Sequence, residues 1–178
     1  MTRYISLLRG INVSGHRPIK MKDLQVMYES LSCENVKTYI QSGNVVFSAK
    51  ASASEWKRQL ESAIVKTFTW DVSVFVCKQS EWNELVKQAP FTNTQREEEG
   101  NRCLVTFCDR TISNSDLAIL QDFLQKGEVI HSIGKQIFLY CPNGYGKTKL
   151  ANPFIEKKLG LVATTRNWKT IAKLSSFL

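Results

Sequence analysis

The stretch that decides the fold is Val36-Lys37-Thr38-Tyr39-Ile40-Gln41-Ser42-Gly43-Asn44-Val45-Val46-Phe47-Ser48. Two β-rich runs, Val36–Ile40 and Asn44–Ser48, flank a short polar turn that contains glycine, and this pattern is typical of a β-hairpin. The hairpin lies between two segments with helical periodicity, Met21–Cys33 and Ser54–Thr69. A strand-like run, Tyr4–Arg9, precedes the first helix, and another, Val72–Lys78, follows the second. A short helix, Glu81–Ala89, comes last. The first half of the chain therefore reads βαββαβα.

The second half repeats this order. Its predicted elements are the strand Arg102–Cys108, the helix Ser115–Gln125, the strands Glu128–Ser132 and Gln136–Cys141, the helix Pro153–Leu159 with Asn152 as its N-cap, the strand Ala163–Asn167 and a terminal helix from Lys169. We predict an α+β protein made of two tandem ferredoxin-like βαββαβ repeats, each with a mainly antiparallel sheet and helices on one face. The predicted domains are 1–90 and 102–178, and residues 91–101 form the linker between them.

Composition indicates an ordinary globular protein, and the charge distribution raises the question of an anionic partner. The 178 residues are 43% hydrophobic and 22% charged, which argues against a disordered or fibrous chain. No apolar run approaches the length of a membrane span, and the apolar stretch before Arg9 is too short for a signal peptide. The net charge of +8 is unevenly distributed: residues 1–22 carry +5, residues 135–178 carry +7, and the part between them carries −4. Such asymmetry is equally consistent with an anionic ligand and with a surplus of charge on solvated surfaces that aids solubility.

Several kinds of site are excluded or disfavoured by the sequence. The five cysteines show no C-x-x-C spacing and lie mostly in apolar runs, so we expect reduced, buried thiols and no metal or cofactor. The run Gly144-Tyr145-Gly146-Lys147-Thr148 is similar to the end of a nucleotide-binding P-loop, but Cys141 stands where that loop requires glycine. We therefore expect a cytoplasmic protein that binds an anion without being a nucleotide hydrolase, and no membrane partner.

The predicted topology groups the polar, glycine-bearing segments into two clusters, since the loops at one edge of such a sheet lie together. Residues 9–16 fall beside residues 41–44 in the first repeat, and residues 143–149 fall beside residues 166–168 in the second. Glycines allow backbone N–H groups to face an anion, and basic side chains supply the charge. The candidate anion-binding residues are Arg9, Gly10, Asn12, Lys20, Ser42, Asn44, Gly144, Gly146, Lys147, Lys149, Arg166 and Asn167.

Each candidate also has a purely structural interpretation. Asn12, Ser42 and Asn44 belong to residue types that form turns by bonding their own backbone. Arg166 fits an anion fork or a surface ion pair equally well, whereas we expect Trp168 to be core packing. His16 is the weak candidate for a catalytic acid or base, because a lone histidine is poor evidence for such chemistry.

Four segments resemble one uncharacterised, mainly bacterial family, known as domain of unknown function 1697. They are residues 7–13 (Leu-Leu-Arg-Gly-Ile-Asn-Val), 19–24, 38–47 (Thr-Tyr-Ile-Gln-Ser-Gly-Asn-Val-Val-Phe) and 163–168 (Ala-Thr-Thr-Arg-Asn-Trp). The resemblance extends over nearly the whole chain, with Ser14 standing where the family commonly has a second glycine. It implies a small cytosolic α+β protein and supplies no catalytic residue.

The leading functional hypothesis is therefore an anion-binding protein whose ligand is a nucleic acid or a phosphorylated small molecule. An enzyme acting on a small phosphorylated substrate is the first alternative, and it predicts a closed pocket of roughly 300–1,000 Å³ that is lined by both clusters. A protein-interaction module, in which the basic ends meet an acidic partner or a second copy, is the other. The sequence assigns no oligomeric state.

Overall fold

The computed structural model describes every residue from Met1 to Leu178. The first half of the chain contains β1 (Thr2–Leu8), α1 (Met21–Ser30), β2 (Glu34–Tyr39), β3 (Asn44–Ala49), α2 (Ala53–Phe68), β4 (Val74–Lys78) and α3 (Gln79–Gln88). The second half contains α4 (Asn93–Glu98), β5 (Cys103–Cys108), α5 (Asn114–Gln121), β6 (Val129–Ile133), β7 (Gln136–Tyr140), α6 (Asn152–Leu159), β8 (Ala163–Asn167) and α7 (Trp168–Ser175). None of these helices combines the length and the apolar composition needed to cross a membrane.

The strands form two four-stranded sheets with the same internal order. The first runs β2-β3-β1-β4 and the second β6-β7-β5-β8, and all neighbouring strands are antiparallel. The predicted α+β class with two antiparallel sheets is confirmed. β3 and β5, one central strand of each sheet, are buried along their whole length, in line with their continuous apolar character. The other two central strands, β1 and β7, are buried except at one or both ends.

The chain divides into two compact units, Met1–Lys87 together with Leu174–Leu178, and Gln88–Lys173. This division differs from the predicted one, because the last five residues group with the first unit. The predicted linker 91–101 also contains a helix of its own, α4. Thr92 and Gln95 form a capping box in which each side chain bonds the other residue's backbone N–H, at 3.2 and 2.9 Å. This S/T-x-x-E/Q spacing is the local signal that a linker assignment overlooks.

An aromatic cluster holds the first unit together. Phe47 on β3 packs against Tyr4, Tyr28 and Trp56, with ring centroids 5.5, 5.3 and 5.6 Å apart. Since Tyr28 belongs to α1 and Trp56 to α2, this one residue joins these two helices to the sheet. Each of these side chains is almost completely buried, and burying one contributes roughly 1.5–3 kcal/mol. The other core residues of this unit include Leu8, Leu24, Met27, Val45, Leu60, Ile64 and Val74.

The first helix is shorter than its periodicity predicts. It ends at Ser30 rather than near Cys33, because Ser32 adopts a left-handed φ of 63° and the chain turns there. The N–H groups of Ser32 and Cys33 then bond the carbonyl oxygens of Glu29 and Tyr28, as at a helix end that glycine commonly terminates. The turn also brings Cys33 into the core.

Candidate functional site

The most unusual backbone in the protein is the loop between β1 and α1. Between Gly10 and Arg17, five of eight residues have left-handed φ angles: Gly10 (65°), Asn12 (55°), Ser14 (49°), Gly15 (77°) and Arg17 (48°). A non-glycine residue in this region costs of order 1–3 kcal/mol and persists only where its surroundings hold it. Arg17 is further restricted because it precedes Pro18. We call residues Gly10–Lys20 the basic loop.

Asn12 holds the basic loop in place. Its Nδ2 donates to the carbonyl oxygens of Ile19 (2.9 Å) and Gln41 (2.7 Å), and its Oδ1 accepts from the N–H of Ile19 at 2.8 Å. Its own N–H donates to the carbonyl oxygen of Arg17 at 3.2 Å. Asn12 thereby closes the loop upon itself and joins it to the hairpin turn, so its side chain is a clamp whose hydrogen bonds are directed into the protein.

The hairpin turn lies directly against the basic loop. Gly43 accepts from the N–H of Leu8 at 2.8 Å, and buried Asn44 donates to the Tyr39 carbonyl oxygen (3.0 Å) and to Ser42 Oγ (2.9 Å). The structure thus brings together the two segments that topology placed in one cluster. Ser42 and Asn44 contribute to the turn itself, in line with the structural interpretation of these residues.

Unused backbone donors distinguish the basic loop. The N–H groups of Gly10, Ser14, Gly15 and Arg17 donate no hydrogen bond within the chain, and residues 13–16 are exposed. Successive N–H groups in backbone of alternating handedness form concavities that bind anions. The loop therefore has free backbone donors at residues that adopt left-handed φ angles.

Positive charge surrounds these donors. The Arg17 guanidinium lies over Gly10, with its Nη1 3.7 Å from where a Cβ of that residue would stand. Lys20 is exposed and precedes the first residue of α1. Arg9 is half-buried at the start of the segment, and its N–H donates to the Ser73 carbonyl oxygen at 3.0 Å. His16 is exposed, with its N–H donating to Val13. Sequence reasoning missed Arg17, although the basic residue between His16 and Pro18 was the available signal.

A pocket of about 300 Å³ opens beside the basic loop. Asn12, Lys20 and Gln41 line it on the side of the loop and the turn, Asp23 contributes from α1, and Phe68 contributes from the end of α2. The loop residues Pro18 and Ile19 complete the lining. The pocket therefore combines a cation, a carboxylate, an amide and apolar surface in one small volume.

The same unit has a larger groove of about 510 Å³ along α2. Arg58, Ser62 and Lys66 line one side of it at helical spacing, and Glu55 and Leu31 contribute as well. Glu55 accepts from the N–H and the hydroxyl of Ser52 in a capping box, which lowers the pKa of its carboxyl group. The i, i+4, i+8 spacing of Arg58, Ser62 and Lys66 was present in the sequence but was not singled out.

The glycine loop of the second unit has a different backbone. Residues Tyr145–Lys147 form a single 3-10 turn, in which the N–H groups of Gly144 and Lys147 donate to Cys141 and Gly144. The N–H of Gly144, which was expected to face an anion, is therefore used within the loop, as is the N–H of Lys147. Gly146, Lys147 and Lys149 are exposed.

The helix after this loop begins with its donors occupied. The predicted N-cap Asn152 is wrong by one position: Ala151 is the N-cap and Asn152 is the first helical residue. The Asn152 N–H donates to the Tyr145 hydroxyl at 2.8 Å, while its side-chain amide donates to Ala163 and accepts from Thr165. The amide thus joins the helix to β8 instead of capping it. The start of α6 offers no free donor to an anion.

Arg166 and its neighbours are part of the interior of the protein. Arg166 is buried; its Nη1 donates to Thr164 Oγ1 (2.8 Å) and to the Thr165 carbonyl oxygen (2.9 Å), and burial lowers its pKa to about 10. Asn167 Oδ1 accepts from the N–H of Thr170 and so caps α7. Trp168 is 5% exposed and packs edge-to-face on Phe91, so its predicted core role is confirmed.

The thiols offer no nucleophile. All five cysteines are free, and four of them are buried. Burial raises the pKa of Cys33, Cys77, Cys108 and Cys141 to about 12 and that of Cys103 to about 11. Since the thiolate is the reactive form, these residues stay inert at neutral pH. No group of His, Cys, Asp and Glu side chains is arranged to hold a metal ion.

Comparisons with known proteins agree with the resemblance seen in the sequence. The chain matches the structure of a conserved bacterial protein, SP0830 from Streptococcus pneumoniae, with 26% identity and a TM-score of 0.77 over 99% of this chain and 98% of that one. No functionally curated protein matches it. Residues 1–138 match the family described as protein of unknown function (DUF1697). The chain belongs to this family.

Proposed function

We propose that this protein binds the phosphate group of its ligand at the basic loop of the first unit. The observation that carries the proposal is the set of free N–H groups on left-handed backbone between Gly10 and Arg17. Exposed donors in strained, firmly held backbone are the arrangement that binds oxyanions in other proteins. The basic loop is held by Asn12, so little ordering is required on binding.

The charges around the loop support a phosphate more than a neutral ligand. Arg17 and Lys20 stand on the loop itself, and residues 9–22 contain no acidic side chain. Arginine supplies a planar fork for phosphate oxygens, and lysine a compact point charge. Hydrogen bonds that involve a charged group contribute about 1.5–3 kcal/mol each, roughly twice the contribution of neutral ones.

The test compares two charge-matched double variants. Arg17→Ala with Lys20→Ala removes two positive charges from the basic loop, whereas Lys147→Ala with Lys149→Ala removes two from the second glycine loop. Binding of inorganic pyrophosphate and of a 20-nucleotide single strand is measured by titration calorimetry, with circular dichroism to verify folding. We expect the first variant to lose at least about tenfold in affinity, as loss of one charged hydrogen bond requires, and the second to stay close to the parent.

Either of two results refutes the proposal. One is the absence of binding of both probes by the parent protein, and the other is a loss of affinity confined to the Lys147 and Lys149 variant. The salt dependence separates the two ligand classes. A nucleic acid that contacts many phosphates loses about a thousandfold or more in affinity between 50 and 200 mM salt, because condensed counterions are released on binding. A small phosphorylated ligand carries no such counterion layer and shows a much weaker salt dependence.

We also propose that each unit is a ferredoxin-like repeat and that the protein works in the cytoplasm. The shared strand orders, β2-β3-β1-β4 and β6-β7-β5-β8, support a duplication of one βαββαβ pattern. The five unpaired thiols are in keeping with a reducing compartment. Fractionation of cells that express the tagged protein tests the location, and a protein recovered outside the cytoplasm contradicts it.

A further inference from the structure

The pocket beside the basic loop has features that phosphate binding alone does not require. Lys20 belongs both to the basic loop and to the pocket lining, so a phosphate held by Lys20 lies against the pocket. Asp23 and Gln41 belong to the same lining. The volume of about 300 Å³ is at the lower end of the range for small-molecule sites. The pocket therefore has room for a compact organic group attached to the phosphate.

Asp23 indicates what that group carries. Asp23 is exposed, is the third residue of α1, and makes no hydrogen bond or ion pair within the chain. An ionised carboxylate is solely an acceptor, so it selects a ligand that presents hydrogen-bond donors. Gln41, which lines the same pocket, has a side-chain amide that offers both an acceptor and donors. A hydroxyl-bearing ligand satisfies both residues.

Asp23 also acts against a polymeric ligand. A nucleic acid presents phosphates at short, regular intervals, and its affinity comes largely from the positive charges that neutralise them. The Asp23 carboxylate belongs to the same pocket lining as Lys20 and disfavours a second phosphate placed beside it, since like charges repel. A single phosphate with a neutral body avoids this repulsion.

The apolar part of the lining suits the body of a sugar. The Phe68 ring is half-buried against the core of the unit, and Pro18 and Ile19 add rigid apolar surface at the loop. Sugars present C–H faces that pack on such surfaces while their hydroxyl groups point to polar residues at the rim. Polar groups that fix orientation within a mostly apolar lining are typical of small-molecule sites.

From these observations we infer that the ligand is a sugar phosphate, with its phosphate on the basic loop at Lys20 and its hydroxyl groups toward Asp23 and Gln41. The inference rests on the proposed phosphate site. It adds the chemical class of the ligand, which is a phosphate ester of a hydroxylated ring. That ester occurs in a free pentose phosphate and in a mononucleotide.

The experiment measures the affinity of inorganic phosphate, ribose 5-phosphate, adenosine 5′-monophosphate and a 20-nucleotide single strand for the parent protein and two variants. Asp23→Asn removes the carboxylate at the pocket, and Glu29→Gln removes one at the other end of the same helix, where it accepts from Gln25. We expect ribose 5-phosphate to bind the parent about tenfold or more tightly than inorganic phosphate, the gain of one charge-assisted hydrogen bond. In Asp23→Asn most of that advantage is lost, while inorganic phosphate binds as well as before or better.

Each other outcome has a definite meaning. Equal affinity for inorganic phosphate and both sugar phosphates overturns this inference and leaves the phosphate site in place, whereas failure of all four probes overturns the proposed function as well. Tighter binding of the single strand than of either sugar phosphate, or an equal effect of Glu29→Gln, also overturns the inference. A preference for the mononucleotide over ribose 5-phosphate supports it and identifies the nucleotide as the source of the ester.

Discussion

Replacement of Gly43 by alanine tests how the hairpin turn and the basic loop are joined. Gly43 has a φ of 77° and lies at the turn between β2 and β3. A Cβ on this residue would lie 2.7 Å from Leu8 Cβ and 2.8 Å from Ile11 Cδ1, distances that real Cβ atoms do not reach. The Ile11 side chain can rotate, but Leu8 Cβ is attached directly to the backbone of a central strand, so the strand or the turn has to move.

The expected loss of stability has two parts. A left-handed backbone costs an L-residue such as alanine about 1–2 kcal/mol more than glycine. Forcing an extra methyl group into filled space costs typically about 1–3 kcal/mol. Together they predict a decrease of about 2–5 kcal/mol in the free energy of unfolding of the first unit.

Gly15→Ala provides a matched control, because Gly15 has the same φ of 77° and no atom within 4 Å of its would-be Cβ. It retains the backbone cost of about 1–2 kcal/mol and lacks the contact with Leu8. Urea unfolding followed by tryptophan fluorescence is a suitable assay, since Trp56, Trp70 and Trp82 all lie in the first unit. Equal destabilisation by the two variants would refute the reasoning, because it would show that the space around Gly43 plays no part.

Two further predictions address the clamp and the second unit. Asn12→Ala removes three side-chain hydrogen bonds and leaves the Ile19 N–H without a partner, so we expect the free energy of unfolding in urea to fall by about 2–4 kcal/mol. Asn12→Gly, which accepts the φ of 55° more easily, should lose less, and a loss below about 1 kcal/mol in the alanine variant would contradict the role of the clamp. The Arg110 guanidinium holds the pKa of the Asp116 carboxyl group well below its usual range. A lowered carboxyl pKa stabilises the folded state above the unfolded-state pKa of about 4 and loses that effect as the pH falls toward the folded-state value. Asp116→Asn should therefore lower the melting temperature at pH 7 and show progressively less difference from the parent below about pH 4, and a constant difference would contradict this linkage.

The regular elements of this protein could be predicted well because their signals are local. The hairpin around Gly43 and the amphipathic stripes of α1 and α2 appear where their periodicities place them, within a few residues. The errors at their ends have local causes as well. Ser32 ends α1 by adopting a conformation usual for glycine, and the capping box at Thr92 begins a helix in a segment that resembles a linker.

The candidate site could be predicted only in part. The sequence placed the segments around Asn12 and Gln41 side by side, and the structure brings them together. It gave equal weight to the two glycine loops, and only the backbone hydrogen bonds show that Gly144 and Lys147 have used their N–H groups while Gly10 and Gly15 have not. Arg17 was not identified as a candidate site residue, because its closeness to Gly10 depends on the path of the loop.

What the sequence by itself determined is the order of the eight strands and of the helices other than α4, the α+β class and the basic character of the loop after β1. These properties depend on residues close together in the chain, whose periodicity and turn preferences act independently of the rest. The tertiary structure alone decided what each polar side chain does. Asn12 became a clamp because Gln41, 29 residues away, lies within reach of its amide. Arg166, on the edge strand β8, became an interior residue because it is buried within its unit, where Thr164 and Thr165 accept its hydrogen bonds. Hydrogen-bond partners and burial are set by contacts between distant residues, and those contacts exist only after folding.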